Sequence, residues 1–302
     1  MRSSIRKTRN IIAVVLAAAI LIISITGYLI DLYRKTKDWL FGTPAAYNGA
    51  YVEMLDVGQG DCILLVSGGK AALIDTGIKT KFSAVKEELK DKNINSLDVL
   101  IITHNHTDHM GSVDMLTKAY PVKTFIIPDL NKTDERTDKM QEAIENVKKS
   151  GGECITAARG TEVSVGEFTL TVVGAYYDEK DENDRSIITL AKIGKWKFLF
   201  TGDAQESAEN RLMQDNPYLK CDVLKVGHHG SMYSSTEEFL EATSPTLAMI
   251  SCGKGNKYSH PHDVVLLRLR QAGVQFWRTD TNGNITFDIT EQEITVKTEK
   301  ES

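Results

Sequence analysis

The most informative segment of the chain is residues 97–111, which read LDVLIITHNHTDHMG. Its first seven residues are largely apolar and predict a buried β-strand. Four side chains that can ligate a metal follow this strand within six residues, namely His104, His106, Asp108 and His109. Imidazoles combined with a carboxylate suit zinc, manganese or iron rather than calcium or magnesium. The segment therefore predicts a metal site at the carboxyl end of the strand.

The order of the ligands within this turn predicts two neighbouring ions rather than one. In a tight turn, His104 and His106 are expected to project to one side, whereas Asp108 and His109 point to the other. One short segment can thus supply ligands to two adjacent sites. Gly111 then allows a close backbone approach where the next helix begins.

Five further motifs accompany this turn. They are LDVGQGD (residues 55–61), LIDTG (73–77), FLFTGD (198–203), KVGHHGS (225–231) and YSHPH (258–262). With the H-x-H-x-D-H turn, the set resembles the metallo-β-lactamase-fold hydrolases, and in particular the hydrolase domain of the ComEC competence family and its stand-alone relatives. The resemblance implies an α+β fold, a four-layer αββα sandwich. Alternating strand-like and helical patterns over the same part of the chain also favour two packed sheets with helices outside.

The resemblance implies roles for the later clusters as well. Asp203 is expected to bridge two metal ions, with capping of the following helix as the alternative. Because adjacent residues point apart, one of His228 and His229 is expected to ligate metal while the other faces the substrate, and which does which stays open. One of His260 and His262 is expected to ligate metal or to protonate the leaving group. His260 is preferred for this role, and for His262 helix capping is an equal alternative.

These roles define a predicted site. The predicted metal ligands are His104, His106, Asp108, His109, Asp203, His228 and His229. The predicted catalytic residues are Asp108, His228, His229 and His260. Two divalent ions, zinc or alternatively manganese, are the expected cofactors and would hold a hydroxide for attack on the substrate. All seven histidines of the chain fall in three clusters, 104/106/109, 228/229 and 260/262, so none is left for general packing.

One position departs from the family pattern. Many members of the superfamily place another ligand histidine before the bridging aspartate, but none lies between His109 and Asp203 here. The first metal is therefore expected to have fewer protein ligands, completed by water or another side chain. Asn183, Asp184 and Ser186 fall in this interval and match the relatives' Asn-x-x-Ser stretch. They are expected either to support the site or to bind substrate.

Several other side chains are assigned secondary roles. Asp56 and Asp75 are expected to brace turns or to orient ligands. Lys254 and Lys257 lie in a glycine-rich loop, and Arg278 follows a strand-like run. These three cations are interpreted either as phosphate contacts or as ordinary solvated surface charge.

Composition and charge divide the chain into two parts. Residues 1–40 contain seven basic and two acidic residues, whereas residues 41–302 contain 29 basic and 39 acidic residues. The uncharged run 11–30 would span roughly 30 Å as a helix, which is the thickness of a bilayer core. The four cysteines lie far apart without a C-x-x-C pair, which excludes a disulfide framework.

The domain prediction follows from this division. It comprises a basic cytoplasmic tail (1–10), a transmembrane anchor (11–30) in contact with the lipid bilayer, a linker (31–49) and the hydrolase domain (50–302). The basic flank predicts a single-pass protein of the cell membrane with a cytoplasmic N-terminus and an extracellular hydrolase domain. Secretion after cleavage of a signal peptide is the alternative.

The predicted function is an extracytoplasmic, metal-dependent hydrolase. The ComEC resemblance implies a phosphodiesterase, with DNA as a candidate substrate. The acidic balance of residues 41–302 argues against a nonspecific nucleic-acid binder. An envelope phosphoester hydrolase, acting on a choline-phosphate or teichoic-acid-like ester, therefore stays open as an alternative. So does a catalytically idle, tethered binding module, and no protein partner is inferred.

Overall fold

A computed structural model describes residues 46–130 and 135–301 of the chain. Fifteen β-strands lie in these residues: β1 (Ala46–Met54), β2 (Ile63–Ser67), β3 (Lys70–Ile74), β4 (Leu97–Ile101), β5 (Val122–Ile127), β6 (Glu153–Thr156), β7 (Glu162–Val165), β8 (Phe168–Gly174), β9 (Ile188–Ile193), β10 (Trp196–Phe200), β11 (Val223–Lys225), β12 (Leu247–Ile250), β13 (Gln275–Arg278), β14 (Ile285–Thr290) and β15 (Ile294–Thr298). The same residues contain eight α-helices: α1 (Phe82–Asp91), α2 (Thr107–Met110), α3 (Val113–Ala119), α4 (Glu135–Lys149), α5 (Glu206–Asp215), α6 (Glu237–Thr243), α7 (Asp263–Gln271) and α8 (Thr279–Asn282).

The strands pair into two sheets. The first has the order β15-β14-β1-β2-β3-β4-β5-β6, and the second has the order β13-β12-β11-β10-β9-β8-β7. Strands β3 to β6 run parallel in the first sheet, and β10 to β13 run parallel in the second. The carboxyl ends of parallel strands meet at one edge of a sheet, where functional side chains commonly collect. The segments that follow β4, β11 and β12 carry the three histidine clusters, and the segment that follows β10 carries Asp203.

Three apolar layers hold these elements together. The middle layer lies between the sheets and includes Phe198, Phe200 and Phe287. Leu199, between the two phenylalanines on β10, instead joins the layer beneath α5, α6 and α7, as the alternation of side chains along a strand requires. A third layer packs α1, α3 and α4 on the first sheet. The predicted αββα sandwich is therefore confirmed for the described residues.

The predicted localisation is corrected by the structure. Among the helices of residues 46–130 and 135–301, none is long and apolar enough to cross a membrane. The longest, α4, has 15 residues. At about 1.5 Å per residue it spans about 22 Å, which is short of a bilayer core of roughly 30 Å. This finding contradicts a cell-membrane protein with an extracellular domain. The predicted tail and anchor, residues 1–10 and 11–30, lie outside the described residues.

A buried carboxylate on α5 fixes the loop that follows the second histidine cluster. Glu209 accepts hydrogen bonds from the Ser235 N–H and from the N–H and hydroxyl of Thr236, the last two at 3.1 and 2.9 Å. The neighbouring Ser234 hydroxyl donates to the Gly227 carbonyl at 2.7 Å, at the start of that cluster. Burial raises the pKa of Glu209 from 4.5 to about 7, although the three donors oppose the shift. The loop is thus held by a group that titrates near neutral pH.

Replacement of this carboxyl predicts a change in the pH dependence of stability. Because its pKa is raised in the folded chain, Glu209 holds a proton between pH 4.5 and about 7 that the unfolded chain has released. Its contribution is therefore complete below about pH 4.5 and is lost as the pH rises through about 7, a fall of about 3 kcal/mol in the free energy of unfolding.

Urea unfolding across this range should show a smaller fall for Glu209→Gln than for the unmodified protein. The matched control is Glu206→Gln, an exposed carboxyl on the same helix, which should leave the slope unchanged. Parallel curves for Glu209→Gln and the unmodified protein would contradict the prediction.

Candidate metal centre

Two groups of ligand atoms meet at one carboxylate. Asp108, His109, Asp203 and His229 each offer an atom, and these atoms lie within 4.8 Å of one another. His104, His106 and Asp203 form a second such group. Asp203 belongs to both groups, as expected of a residue that bridges two ions. The structure therefore brings together six of the seven predicted ligands.

The distances around Asp203 are short. Its Oδ1 lies 3.2 Å from His109 Nε2, and its Oδ2 lies 3.5 Å from His229 Nε2 and 3.9 Å from His104 Nε2. His104 Nε2 in turn lies 2.9 Å from His106 Nδ1. The carboxylate thus sits between imidazole nitrogens that belong to the two loops after β4 and β11.

Orphaned polar atoms provide a test of whether these residues fit a metal. Within the described part of the chain, His109 Nε2, His229 Nε2 and Asp203 Oδ1 are buried and make no hydrogen bond of good geometry, although His109 Nε2 and Asp203 Oδ1 lie only 3.2 Å apart. Leaving a buried polar atom unpaired costs about 1–3 kcal/mol, and native structures contain few such atoms. Three of them converge here, all of types that bind zinc or manganese. The residues therefore fit divalent metal ions.

A neighbouring group holds the other nitrogen of each ligand histidine. The pairs are His104 Nδ1 with Ser186 Oγ (3.3 Å), His106 Nε2 with Glu182 Oε2 (3.4 Å), His109 Nδ1 with Asp75 Oδ2 (2.7 Å) and His229 Nδ1 with the Ser251 carbonyl oxygen (3.0 Å). Such outer contacts fix the tautomer and the ring orientation of metal-binding histidines. Asp75 thus contacts His109 in the manner that a ligand-orienting role requires.

Burial and neighbouring charges shift the pKa values of the site histidines in opposite directions, so that His109 and His229 favour the protonated form. Burial lowers the pKa of His104 well below its usual range, and the nearby His109 adds to the shift. Burial also opposes charge on His109 and His229, but buried carboxylates outweigh it and raise the pKa of His229 to about 9. Metal binding would displace these protons, since ligand imidazoles must be neutral.

The structure separates the roles of the adjacent histidines. Both have a left-handed backbone, with φ of 45° at His228 and 55° at His229. His229 is buried in the first ligand group, whereas His228 is partly exposed and its Nε2 lies 3.8 Å from Asp203 Oδ2. His229 therefore lies in one of the two ligand groups, whereas His228 forms part of the pocket wall.

A pocket of about 260 Å³ lies over the two groups, and its lining includes His228, His260 and Asp108. The His260 ring lies 5.4 Å from the His228 ring, centroid to centroid. His262 instead accepts a hydrogen bond from the Met232 N–H at 3.0 Å and stands at the N-terminus of α7. His260 is thus placed at the pocket, and His262 is engaged structurally.

The segment from Asn183 to Ser186 occupies the interval where the family histidine is missing. Asn183 lines the pocket. Asp184 accepts from the Gln205 N–H at 2.8 Å at the start of α5, and the Ser186 hydroxyl accepts from the Asp203 N–H at 3.0 Å. The segment therefore supports the bridging aspartate and one pocket wall.

Sequence reasoning missed a buried ion pair beneath the site. Lys225 Nζ lies 2.7 Å from Asp61 Oδ2, and both side chains are almost wholly buried. Asp61 Oδ1 also lies 3.4 Å from His229 Nδ1. The motifs GQGD and KVGHHGS contain these residues, but no local signal indicated that they pair. Glu182 was missed as well, because a surface loop brings it to His106.

Two ligand groups that share one carboxylate lie at the edge of an αββα sandwich, which is the arrangement of a metal-dependent enzyme and most commonly of a hydrolase. The chain belongs to the metallo-beta-lactamase superfamily, because the sequence model of that family matches residues 55–254. Among curated proteins, ComE operon protein 3 of Bacillus subtilis (strain 168) is 32% identical over 82% of this chain and 34% of its own length. Recombination protein 2 of Haemophilus influenzae is 32% identical over 78% of this chain and 28% of its own. The chain thus spans about a third of these relatives.

Solved structures show the same fold. CmlA beta-hydroxylase (E377D mutant) matches with a TM-score of 0.54 and 13% identity, over 82% of this chain and 54% of that one. The metallo-beta-lactamase fold protein YhfI from Bacillus subtilis matches with a TM-score of 0.53 and 13% identity, over 79% and 99% respectively. The expected resemblance to the ComEC-type hydrolase domain is confirmed by the curated relatives.

The orphaned ligand atoms predict that metal stabilises the fold. Zinc or manganese at about 100 times its dissociation constant should add about 2.7 kcal/mol, which raises the unfolding temperature of a domain of this size by about 5–10 °C. Asp203→Asn should abolish the shift, because Asp203 belongs to both ligand groups. Differential scanning calorimetry measures the shift in unfolding temperature, and the control variant Asp91→Asn should keep it. An undiminished shift in Asp203→Asn would contradict the assignment.

Proposed function

We propose that this domain is a metal-dependent phosphodiesterase that acts on DNA. The observation that carries the proposal is the position of Asp203 in both ligand groups, beneath a pocket walled by two further histidines. Paired metal sites of this kind suit in-line displacement at phosphorus, because both the attacking and the leaving oxygen need stabilisation. DNA is favoured because the relatives include proteins named Recombination protein 2 and Competence protein ComA, the latter from Neisseria gonorrhoeae.

Zinc or manganese held by His104, His106, Asp203 and by Asp108, His109, His229 would supply Lewis-acid chemistry and positive charge beside the phosphoryl oxygens. The protein's own contribution begins with orientation. Ser186 and Asp75 hold the rings of His104 and His109, so the ligand nitrogens do not have to reorganise as charge develops.

His260 is suited to donate to an oxygen of the substrate. Gln59 Oε1 accepts the Gly253 N–H at 3.1 Å, which orients the amide so that its Nε2 faces His260 Nδ1 at 3.4 Å. With Nδ1 accepting, the proton of the neutral ring lies on Nε2. His260 can therefore present an N–H within the pocket, and His228 on the pocket wall beside it is placed to exchange a proton with the leaving oxygen.

Parallel assays of the metal-loaded full chain test the proposal. Bis-p-nitrophenyl phosphate and single-stranded DNA should be hydrolysed, and nitrocefin should not. Asp203→Ala should lower kcat/KM for both phosphodiesters by about 1,000-fold or more, because it removes a ligand of both groups. Hydrolysis of nitrocefin alone, or none of any substrate by the metal-loaded protein, would refute a phosphodiesterase.

The two adjacent histidines should differ when replaced. His229→Gln should reduce bound metal, measured by elemental analysis, because His229 lies in a ligand group. His228→Gln should leave metal content unchanged but lower kcat about 100-fold, as expected for loss of proton transfer. Loss of metal in His228→Gln with retention in His229→Gln would reverse the assignment.

A further inference from the structure

A second cavity adjoins the metal pocket. It has a volume of about 750 Å³ and shares Gln59 with that pocket. The segment 253–260 lines both spaces, with Lys254 and Asn256 on the second cavity and Tyr258 and His260 on the first. The metal pocket, at about 260 Å³, is smaller than the roughly 300–1,000 Å³ of common ligand sites. An extended substrate must therefore continue beyond it.

Lysines dominate the charge of the second cavity. Its lining includes Lys81, Lys254 and Lys300 against two acids, Asp56 and Asp280. The charge of Asp280 is already met by Arg278, which contacts it with two nitrogens at 2.7 and 3.0 Å. Asp56 forms a longer ion pair, in which its Oδ2 lies 3.7 Å from Lys300 Nζ. The cavity thus has an excess of positive charge in an otherwise acidic domain.

Two of these lysines are available to a ligand. Among the described residues, no ion pair involves Lys81 or Lys254. The other cations that the sequence associated with phosphate are differently placed. Arg278 is engaged with Asp280, and Lys257 lies over the Tyr258 ring at 4.9 Å. Lys81 is contributed by the turn before α1, far from Lys254 in sequence.

Hydrogen bonds and a close backbone approach hold the wall between the two cavities. Gln59 Oε1 accepts the Gly253 N–H at 3.1 Å, and a Cβ at Gly253 would lie only 2.7 Å from the Gln59 backbone nitrogen. The Asn256 side chain closes the same loop, donating to the His260 carbonyl at 2.6 Å and accepting from the His260 N–H at 3.0 Å. The cavities are therefore held at a fixed separation, which reduces the ordering cost of a ligand that spans both.

The positive region has a limit. A third cavity shares Asp56, Lys81 and Lys300 with the second, and its further charged lining is five acids against Lys297. Those acids are Glu53, Glu87, Glu88, Asp91 and Glu299. Lys92 neutralises part of this charge, at 2.9 Å from Glu53 and 3.1 Å from Glu88. A polyanion would be repelled there, so a favourable path extends from the metal pocket to the lysines and no further.

We propose that the cavity lined by Lys81 and Lys254 is a subsite for a phosphodiester next to the one being cleaved. The domain then prefers nucleic-acid chains with several phosphodiesters over substrates with one. This inference rests on the proposed phosphodiesterase function, because the neighbouring phosphate is defined by the one that reacts.

Binding of a short oligonucleotide tests the subsite directly. The probe is 5′-fluorescein tetrathymidylate, titrated with the full chain in EDTA to prevent hydrolysis and followed by fluorescence anisotropy over a range of salt concentrations. Removal of one lysine that binds a phosphate should reduce the slope of log affinity against log salt by about 0.7. Lys81→Gln and Lys254→Gln should each show this reduction, whereas Lys118→Gln, which lines neither cavity, should not. Unchanged slopes in both cavity variants would overturn the subsite.

Kinetics separates failure of the subsite from failure of the function. With metal, kcat/KM for tetrathymidylate should exceed that for thymidylyl-thymidine, which has a single phosphodiester, by about tenfold. Lys81→Gln and Lys254→Gln should remove most of this preference and leave hydrolysis of bis-p-nitrophenyl phosphate unchanged. Equal rates on the two oligonucleotides would overturn the subsite while leaving a phosphodiesterase. Lysine-dependent binding without hydrolysis of any phosphodiester would refute the function and leave the two lysines only a phosphate-binding role.

Discussion

The burial of the Asp203 carboxylate is the constraint on which the site depends. An ionised carboxylate is costly to remove from water unless cations or donors compensate it, and Asp203 is almost fully buried. Gly202 makes its position attainable, because φ is 55° there and a Cβ would lie 2.9 Å from Ser186 Oγ. The Gly202 carbonyl also accepts from the His228 N–H and from Lys225 Nζ, both at 3.2 Å. One turn thus joins the bridging aspartate to the second histidine cluster.

Compensation extends outward in a second layer of buried charge. Asp61 and Asp75 lie behind the histidines, and Lys225 neutralises Asp61 at 2.7 Å. Removing one partner of a buried ion pair leaves an uncompensated charge and costs about 3–5 kcal/mol, whereas the intact pair adds little net stability. The pair therefore acts mainly by positioning the ligand residues above it, and it contributes little to stability. It keeps the loop before β2 and the loops after β10 and β11 in one arrangement.

Much of this site was predictable from the sequence because its signals are local. His104 to His109 and Asp203 each follow an apolar strand directly, so their position at the sheet edge follows from strand direction alone. The division of labour between His228 and His229 was not predictable, since alternation assumes an extended backbone and both residues are left-handed. Glu182 reaches His106, and Lys81 reaches the second cavity, because loops that are distant in sequence pack together. No local sequence pattern encodes that packing. The membrane localisation was inferred from residues outside the described fold and was contradicted.

The acidic balance of residues 41–302 argued against a nonspecific nucleic-acid binder, whereas the proposed subsite depends on the charges that line one cavity. Electrostatic attraction acts over about 8–10 Å at ordinary salt, so a substrate responds to the charges that line its path. Along the described part of that path, Arg278 neutralises Asp280 and two lysines have no ion-pair partner, while many of the acids of the domain face other surfaces or a separate cavity. An acidic protein can therefore present a short cationic path. The acids beyond it would confine a polyanion to that path rather than exclude it from the site.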